Sequence, residues 1–187
     1  LDKDEILKLA IELEGHPDNV APAIYGNMII AFMEDGNLYH ESIKVPEEIR
    51  FLAMVPDFEL STEKARAVLP KEIPHKHGVF NVSRCALLIA AFTKNNLDLV
   101  KAACKDKFHQ DYRSHLINNY DDIVAYANSL DSLGTFLSGA GPTIMTLAKD
   151  GDNEILYKMK SYLAALPDNW QILDLHCDPN GAYYKEV

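Results

Sequence analysis

The sequence predicts an α+β protein whose main body packs helices on one face of a mainly antiparallel sheet. Three observations carry this expectation. From Arg50 onward the elements run strand, several helices, two strands, helix, two strands, an order that a one-sided layer of helices accommodates. At Leu133 the pattern changes from helical spacing to short β-branched or apolar runs. Near the end, Asp178-Pro179-Asn180-Gly181 contains Asn-Gly, a strong hairpin signal. Residues 1–46 read as the tail of a different unit, so the expected division is 1–46 and 47–187.

Ile6, Leu7, Leu9, Ala10 and Leu13 recur at helical spacing until Gly15, and His16-Pro17-Asp18-Asn19 follows as a turn. Asp18 or Asn19 can cap a short helical turn through Val20–Ala23. Met28–Met33 and Leu38–Val45 form an expected hairpin about Asp35-Gly36-Asn37. Arg50–Val55 reads as a strand. A helix follows over Glu63–Leu69, capped by Ser61 or Thr62 and ended by Pro70. After a polar loop containing His75-Lys76-His77, Asn81 or Ser83 is expected to cap a long buried helix through Cys85–Phe92. Further helices are expected over Leu97–Phe108, Asp121–Leu130 and Asn153–Ala165. Strands are expected at Thr135–Leu137, Thr143–Leu147, Gln171–His176 and Ala182–Lys185.

Composition narrows the function. The formal charge is −10 and the 18 basic residues are scattered, which argues against a nucleic-acid partner, since phosphate backbones select clustered Lys and Arg. The longest apolar run, Cys85–Phe92, is far short of the roughly 20 residues that span a bilayer. Three separated cysteines (Cys85, Cys104 and Cys177) make neither a disulfide framework nor a CxxC metal pair. Buried, inert thiols in a cytoplasmic protein are the expectation.

Two clusters and two arginines carry chemistry. In Glu14-Gly15-His16-Pro17-Asp18-Asn19, four functional side chains fall within six residues. That is either a solvated turn or a ligand site where a carboxylate meets a metal or an amine and His16 and Asn19 orient a polar ligand. Ser138-Gly139-Ala140-Gly141-Pro142 joins two expected strands. It is either a plain connection or a nest of N–H groups for an anion, and it is neither a Walker A loop nor GxGxxG. Arg66 and Arg113 form either surface ion pairs or a two-pronged grip on a carboxylate. No G-x-S-x-G nucleophile elbow occurs.

Glu-Gly-His-Pro-Asp-Asn-Val-Ala-Pro at 14–22, Val-Pro-Asp-Phe-Glu-Leu-Ser-Thr-Glu-Lys-Ala-Arg-Ala-Val-Leu-Pro at 55–70 and Leu-Ser-Gly-Ala-Gly-Pro-Thr-Ile at 137–144 occur in this order in one chain. Together they resemble the homoserine kinases of the GHMP small-molecule kinase superfamily, across essentially the whole sequence. The GAGP loop is a mark of the superfamily; the other two segments point to the homoserine kinases. The resemblance implies a GHMP C-terminal domain at 47–187 and a remnant of the N-terminal domain at 1–46. It implies ATP and Mg²⁺ as cofactors and transfer of the γ-phosphoryl group to the hydroxyl of L-homoserine, a step of threonine biosynthesis. His16, Asp18, Asn19, Thr62, Arg66 and Arg113 match substrate-binding positions, and Ser138, Gly139, Ala140 and Gly141 match the loop beside the phosphates. Glu14, or alternatively Glu12, matches the metal-holding glutamate, and Asp18 is the candidate for a catalytic base.

The family's first domain and its Gly/Ser-rich phosphate loop are not in this sequence, so a missing N-terminal segment of the same protein is an expected partner. An exposed apolar face on residues 1–46 should mark where that segment packs. A homodimer is among the assemblies the resemblance allows. A non-catalytic amino-acid-binding protein and a kinase for a different small alcohol are the competing readings. Asn27 and Asn118 stand where the family often has Gly and Pro.

Overall fold

A computed structural model describes residues 1–184 of the chain. They form two compact units, Leu1–Pro46 with the stretch from Cys177 on, and Glu47–His176. The C-terminal stretch therefore packs with the first unit, not with the second as its position in the sequence suggests.

In the first unit, α1 (Lys3–Glu14) starts with a capping box. Asp2 Oδ1 accepts the Glu5 N–H at 2.8 Å and Glu5 Oε2 accepts the Asp2 N–H at 3.0 Å. Gly15 ends the helix in the left-handed region at φ 91°, where a side chain would strain the backbone. Leu7 and Ile11 of α1 and Ala21 and Ile24 of α2 (Val20–Tyr25) form the small core. The hairpin of β1 (Met28–Glu34) and β2 (Asn37–Ile43) covers it, Ile29, Ala31 and Leu38 facing inward. Asp35 and Gly36 both take positive φ, as the expected tight turn requires.

Beyond that core an apolar surface is left open. Leu13 of α1 is 91% exposed, Leu9 49% and Phe32 of β1 50%. Residues 1–46 thus carry the exposed apolar side chains that the sequence led us to expect.

No hairpin forms at Asp178–Gly181. The Asn27 N–H donates to Asp178 O at 2.8 Å, Asn27 Nδ2 donates to Pro179 O at 3.1 Å, and the Ala182 N–H donates to Ala23 O at 2.9 Å. The segment thus lies along the end of α2. Residues 182–184 are not a strand, and Lys185, the last residue of the expected strand, lies outside the described residues. Asn27 sits at φ 56°, a left-handed position where Asn is the usual substitute for Gly.

The second unit is built on an antiparallel sheet in the order β4 (Gly134–Leu137), β5 (Ile144–Lys149), β3 (Ile49–Pro56), β6 (Trp170–Leu175). Leu52, Met54, Leu137 and Ile144 of the sheet pack against α7 (Tyr120–Ser129) and α8 (Asn153–Leu163) through Ile123, Ala127, Ile155, Met159 and Leu163. This is the α+β architecture the sequence predicts. α3 (Thr62–Ala67) begins at Ser61, whose hydroxyl accepts the Lys64 N–H at 3.2 Å.

Two helical expectations need correction. α4 runs His75–Thr93, starting at Pro74 and not at Asn81 or Ser83, and within it only Ala91 and Phe92 are buried. Val79, Val82, Cys85 and Ala86 face outward, so neither this helix nor the Cys85 thiol is buried. Cys104 is partly buried, and desolvation pushes its thiol up to about 12. The helix expected over Leu97–Phe108 is a 3₁₀ turn (Leu97–Leu99) and a single α turn, α5 (Val100–Ala103). A separate short helix, α6, spans Gln110–Arg113. Among the described residues no helix is long and apolar enough to cross a membrane.

Candidate functional site

Glu12, Glu14, His16, Asp18 and Asn19 lie on the first unit, in the last turn of α1 and the turn that follows it. Pro17 and the Gly15 cap force the chain out of the helix, so His16, Asp18 and Asn19 all project from one short turn. Asp18 Oδ1 accepts the Asn19 N–H at 2.9 Å and lies against His16 Nδ1. Asn19 opens α2 but caps nothing with its side chain, which leaves the amide available to a ligand. His16 is half-buried and Asp18 and Asn19 are exposed. Glu12 and Glu14 are exposed carboxylates on the helix surface. The described residues contain no group of three His, Cys, Asp or Glu side chains placed to hold a metal ion. The exposed carboxylates of Glu12 and Glu14 are oxygen donors of the kind a hard cation takes, and they do not form a closed protein cage.

Thr62, Arg66, Arg113 and the Ser138–Pro142 loop lie on the second unit. Here the structure gathers what the sequence separates. Arg113 ends α6 and donates from Nε to Ala65 O at 3.0 Å, and from Nη1 to Gly139 O at 3.2 Å. Its Nη1 also meets His109 Nδ1 at 3.2 Å. Since a guanidinium only donates, that ring nitrogen accepts, and the His109 proton sits on Nε2. One guanidinium thereby ties α3 to the Gly-rich loop, and its Nη2 has no partner among the described residues. Burial lowers the Arg113 pKa, the Asp106 charge raises it, and the nearby Arg66 charge lowers it again. Arg66 is exposed on α3, one turn after Thr62, so the two side chains share a helix face. Two cations near one another with open donors suit a carboxylate.

In the loop, the Ser138 N–H donates to Thr143 O and the Gly141 N–H donates to Ser138 O, both at 2.9 Å. The N–H groups of Gly139 and Ala140 have no backbone partner among the described residues and are open to an acceptor. Gly141 takes φ 85°, and a Cβ there would lie 3.0 Å from Leu137 Cδ1 and 3.1 Å from Ile117 Cδ1. Gly141→Ala is therefore expected to destabilise the protein by about 1–2 kcal/mol through left-handed strain and crowding. Denaturant unfolding checks this, and unchanged stability would show that the loop relaxes freely.

The sequence pointed to the arginines but not to what holds them. Gln110 Oε1 accepts both the Tyr120 hydroxyl at 2.8 Å and the Leu137 N–H at 2.9 Å, fixing α6 to the strand that leads into the loop. His109 and Asp106 also belong to this framework. A carboxylate three residues before the His-Gln pair is a capping pattern, which was the one local signal for it. Asn118 donates to Asp168 Oδ2 at 3.1 Å, a polar tie that a proline could not make through its side chain.

Residues 88–165 match the family described as GHMP kinases C terminal. Over 181 residues the chain is 49% identical to homoserine kinase of Clostridium botulinum (strain ATCC 19397 / Type A), covering 97% of this chain and 61% of that protein. The crystal structure of homoserine kinase from Cytophaga hutchinsonii is similar at a TM-score of 0.90 and 27% identity, over 97% of this chain and 60% of that one. L. major mevalonate kinase in complex with R-mevalonate gives a TM-score of 0.68 at 20% identity, over 93% of this chain and 58% of that one, a likeness of fold alone. The chain thus spans 61% of the length of the curated relative.

Proposed function

We propose, from the match of residues 88–165 to the family described as GHMP kinases C terminal, that the chain is the substrate-binding part of a homoserine kinase. The whole protein transfers the γ-phosphoryl group of ATP to the hydroxyl of L-homoserine and releases O-phospho-L-homoserine, in threonine biosynthesis. The observation that carries this reading is the Arg66 and Arg113 pair. Arg113 is held by Ala65 O, Gly139 O and His109 so that one terminal nitrogen stays open, and Arg66 stands beside it without a carboxylate partner among the described residues. An amino acid brings the carboxylate that such a pair needs, and a sugar does not.

Each residue then has a task. Arg66 and Arg113 grip the substrate carboxylate, and Thr62 offers a hydroxyl from the same face of α3. The resemblance assigns His16, Asp18 and Asn19, on the first unit, to the amine and the side-chain hydroxyl. Asp18 is the group available to accept the hydroxyl proton. The open N–H groups of Gly139 and Ala140 would be available to phosphate oxygens. Glu14, or alternatively Glu12 two residues earlier in α1, would contribute a carboxylate toward Mg²⁺. ATP with Mg²⁺ supplies the phosphoryl group and the neutralisation of its charge, so most of the rate comes from positioning. The remaining grip on the nucleotide phosphates comes from a part of the protein outside these residues, and the open apolar surface of α1 and β1 supports a partner there.

ADP release by the full-length protein with ATP and Mg²⁺ tests this reading. Homoserine should support turnover, and galactose or mevalonate should not. Turnover on another alcohol but not on homoserine would overturn the substrate. Homoserine binding without turnover on any alcohol would favour the non-catalytic binding protein.

A further inference from the structure

We propose that Asp106, held by Asn81, is the positioning residue for Arg113. It touches no substrate and acts through the backbone it gathers. The inference rests on the reading of Arg113 as a clamp for the substrate carboxylate.

The Asp106 side chain is only 8% exposed. Its Oδ2 accepts three successive backbone N–H groups, those of Phe108 at 3.0 Å, His109 at 2.7 Å and Gln110 at 2.8 Å. Its Oδ1 accepts Asn81 Nδ2 at 2.6 Å, and Asn81 Oδ1 accepts the Lys107 N–H at 2.8 Å in return. Asn81 stands on α4, a long helix, so residues 106–110 are closed into one turn and fastened to a rigid element. α6 has only four residues. A helix of that length does not hold itself, because the nucleus costs more than its few bonds return. The carboxylate accepts the first N–H of α6, that of Gln110, together with those of the two residues leading into it, so the direction in which the helix leaves the turn is set by Asp106.

Arg113 is the last residue of that helix, one turn after His109, the residue its guanidinium meets. Both the root of the Arg113 side chain and the ring that orients its tip are therefore fixed by the same carboxylate. Burying a carboxylate costs free energy unless its acceptors are filled, and here they are filled by the turn and Asn81. The nearest ring nitrogen of His109 is 3.9 Å away, too far for a hydrogen bond. The carboxylate's bonding is thus spent on the turn and on Asn81. Losing it would leave Arg113 reaching for Ala65 O and Gly139 O from a loose base.

Steady-state kinetics of the full-length protein test the proposal. Asp106→Ala should raise the homoserine KM by about 10-fold, with the ATP KM and kcat little changed. Asp106→Asn, which keeps an oxygen for the three amides but loses the acceptor for Asn81 Nδ2, should recover part of that loss. Asn81→Ala, a milder change should Asp106→Ala fail to fold, should shift the same KM in the same direction by a smaller factor. In an Arg113→Ala background neither change should cost anything further, because the residue they position is gone. A multiplicative loss in the double variants, or a parallel fall in kcat with a rise in the ATP KM, would overturn the proposal. If Arg113→Ala alone leaves the homoserine KM unchanged, the clamp reading itself fails, and Asp106 has nothing to position.

Discussion

Replacing Arg113 by Ala in the full-length protein is expected to raise the KM for homoserine by about 10- to 150-fold. That range corresponds to one charge-assisted contact of about 1.5–3 kcal/mol, with a tenfold change per 1.4 kcal/mol. Arg66→Ala should act in the same direction. Its effect should be smaller, because Arg66 is exposed and water screens its charge, whereas Arg113 is half-buried and fixed by three partners. Arg113→Lys should rescue little, since an ammonium cannot reach Ala65 O, Gly139 O and a carboxylate together in the planar geometry of a guanidinium. Homoserine titrations of both enzymes, with ATP saturating, read the effect. An unchanged KM in Arg113→Ala and Arg66→Ala would remove the carboxylate clamp.

Asp174→Ala is expected to destabilise the protein by about 2 kcal/mol and lower its Tm by roughly 5 °C. Arg50 of β3 is buried, and its Nε and Nη2 meet the two oxygens of Asp174 on β6 at 2.5 Å each. Its Nη1 donates to Asn153 Oδ1 at 3.1 Å and Asp152 O at 3.3 Å, where α8 begins. One side chain thus fastens an edge strand and a helix start to the central strand. Removing Asp174 strands a buried cation, but the Asp174 side chain is 37% exposed, so water replaces part of the loss and the effect stays below that of a fully buried pair. The hydrogen bonds from Arg50 hold the Asp174 carboxyl below the usual range, against the opposing effect of burial. The stabilisation is therefore complete above the unfolded carboxyl pKa of about 3.9 and is lost as pH falls through the lower folded value. Thermal unfolding of wild type and Asp174→Ala should differ at neutral pH and converge in strong acid. A constant difference down to the acid limit would contradict this ionic account.

What the sequence made legible was what is decided locally. The helical spacing before Gly15, the turn at Asp35-Gly36, the Ser61 cap and the β-branched strands all have near neighbours that enforce them. Where the reading failed, a distant group had taken over. The helix expected across Leu97–Phe108 ends at Ala103, and beyond it Asn81 Oδ1 takes the Lys107 N–H and the Asp106 carboxylate that of Phe108, so the stretch up to Phe108 is held by side chains and not by helical bonds. The Asn180-Gly181 hairpin does not form because Asn27 and Ala23 take the hydrogen bonds of that stretch. α4 begins early, directly after Pro74, although His75-Lys76-His77-Gly78 has loop-like composition; Pro74 has no N–H to satisfy there. Of the candidate site, the two clusters and the two arginines could be named from their motifs, but Asp106, His109 and Gln110 could not. The bonds from Arg113 to Ala65 and Gly139, which gather three separate segments, are long-range and left no local trace.

Mass-spectrometric detection of O-phospho-L-homoserine is the most direct measurement of the central claim, made on the full-length protein and on these 187 residues alone, each with ATP, Mg²⁺ and homoserine. Product is expected from the full-length protein and none from the 187 residues, in line with the proposal that the main grip on the nucleotide lies outside them. Absence of product from an active, folded full-length protein would contradict the homoserine kinase assignment, and product from the 187 residues alone would contradict the placement of the phosphate grip outside them.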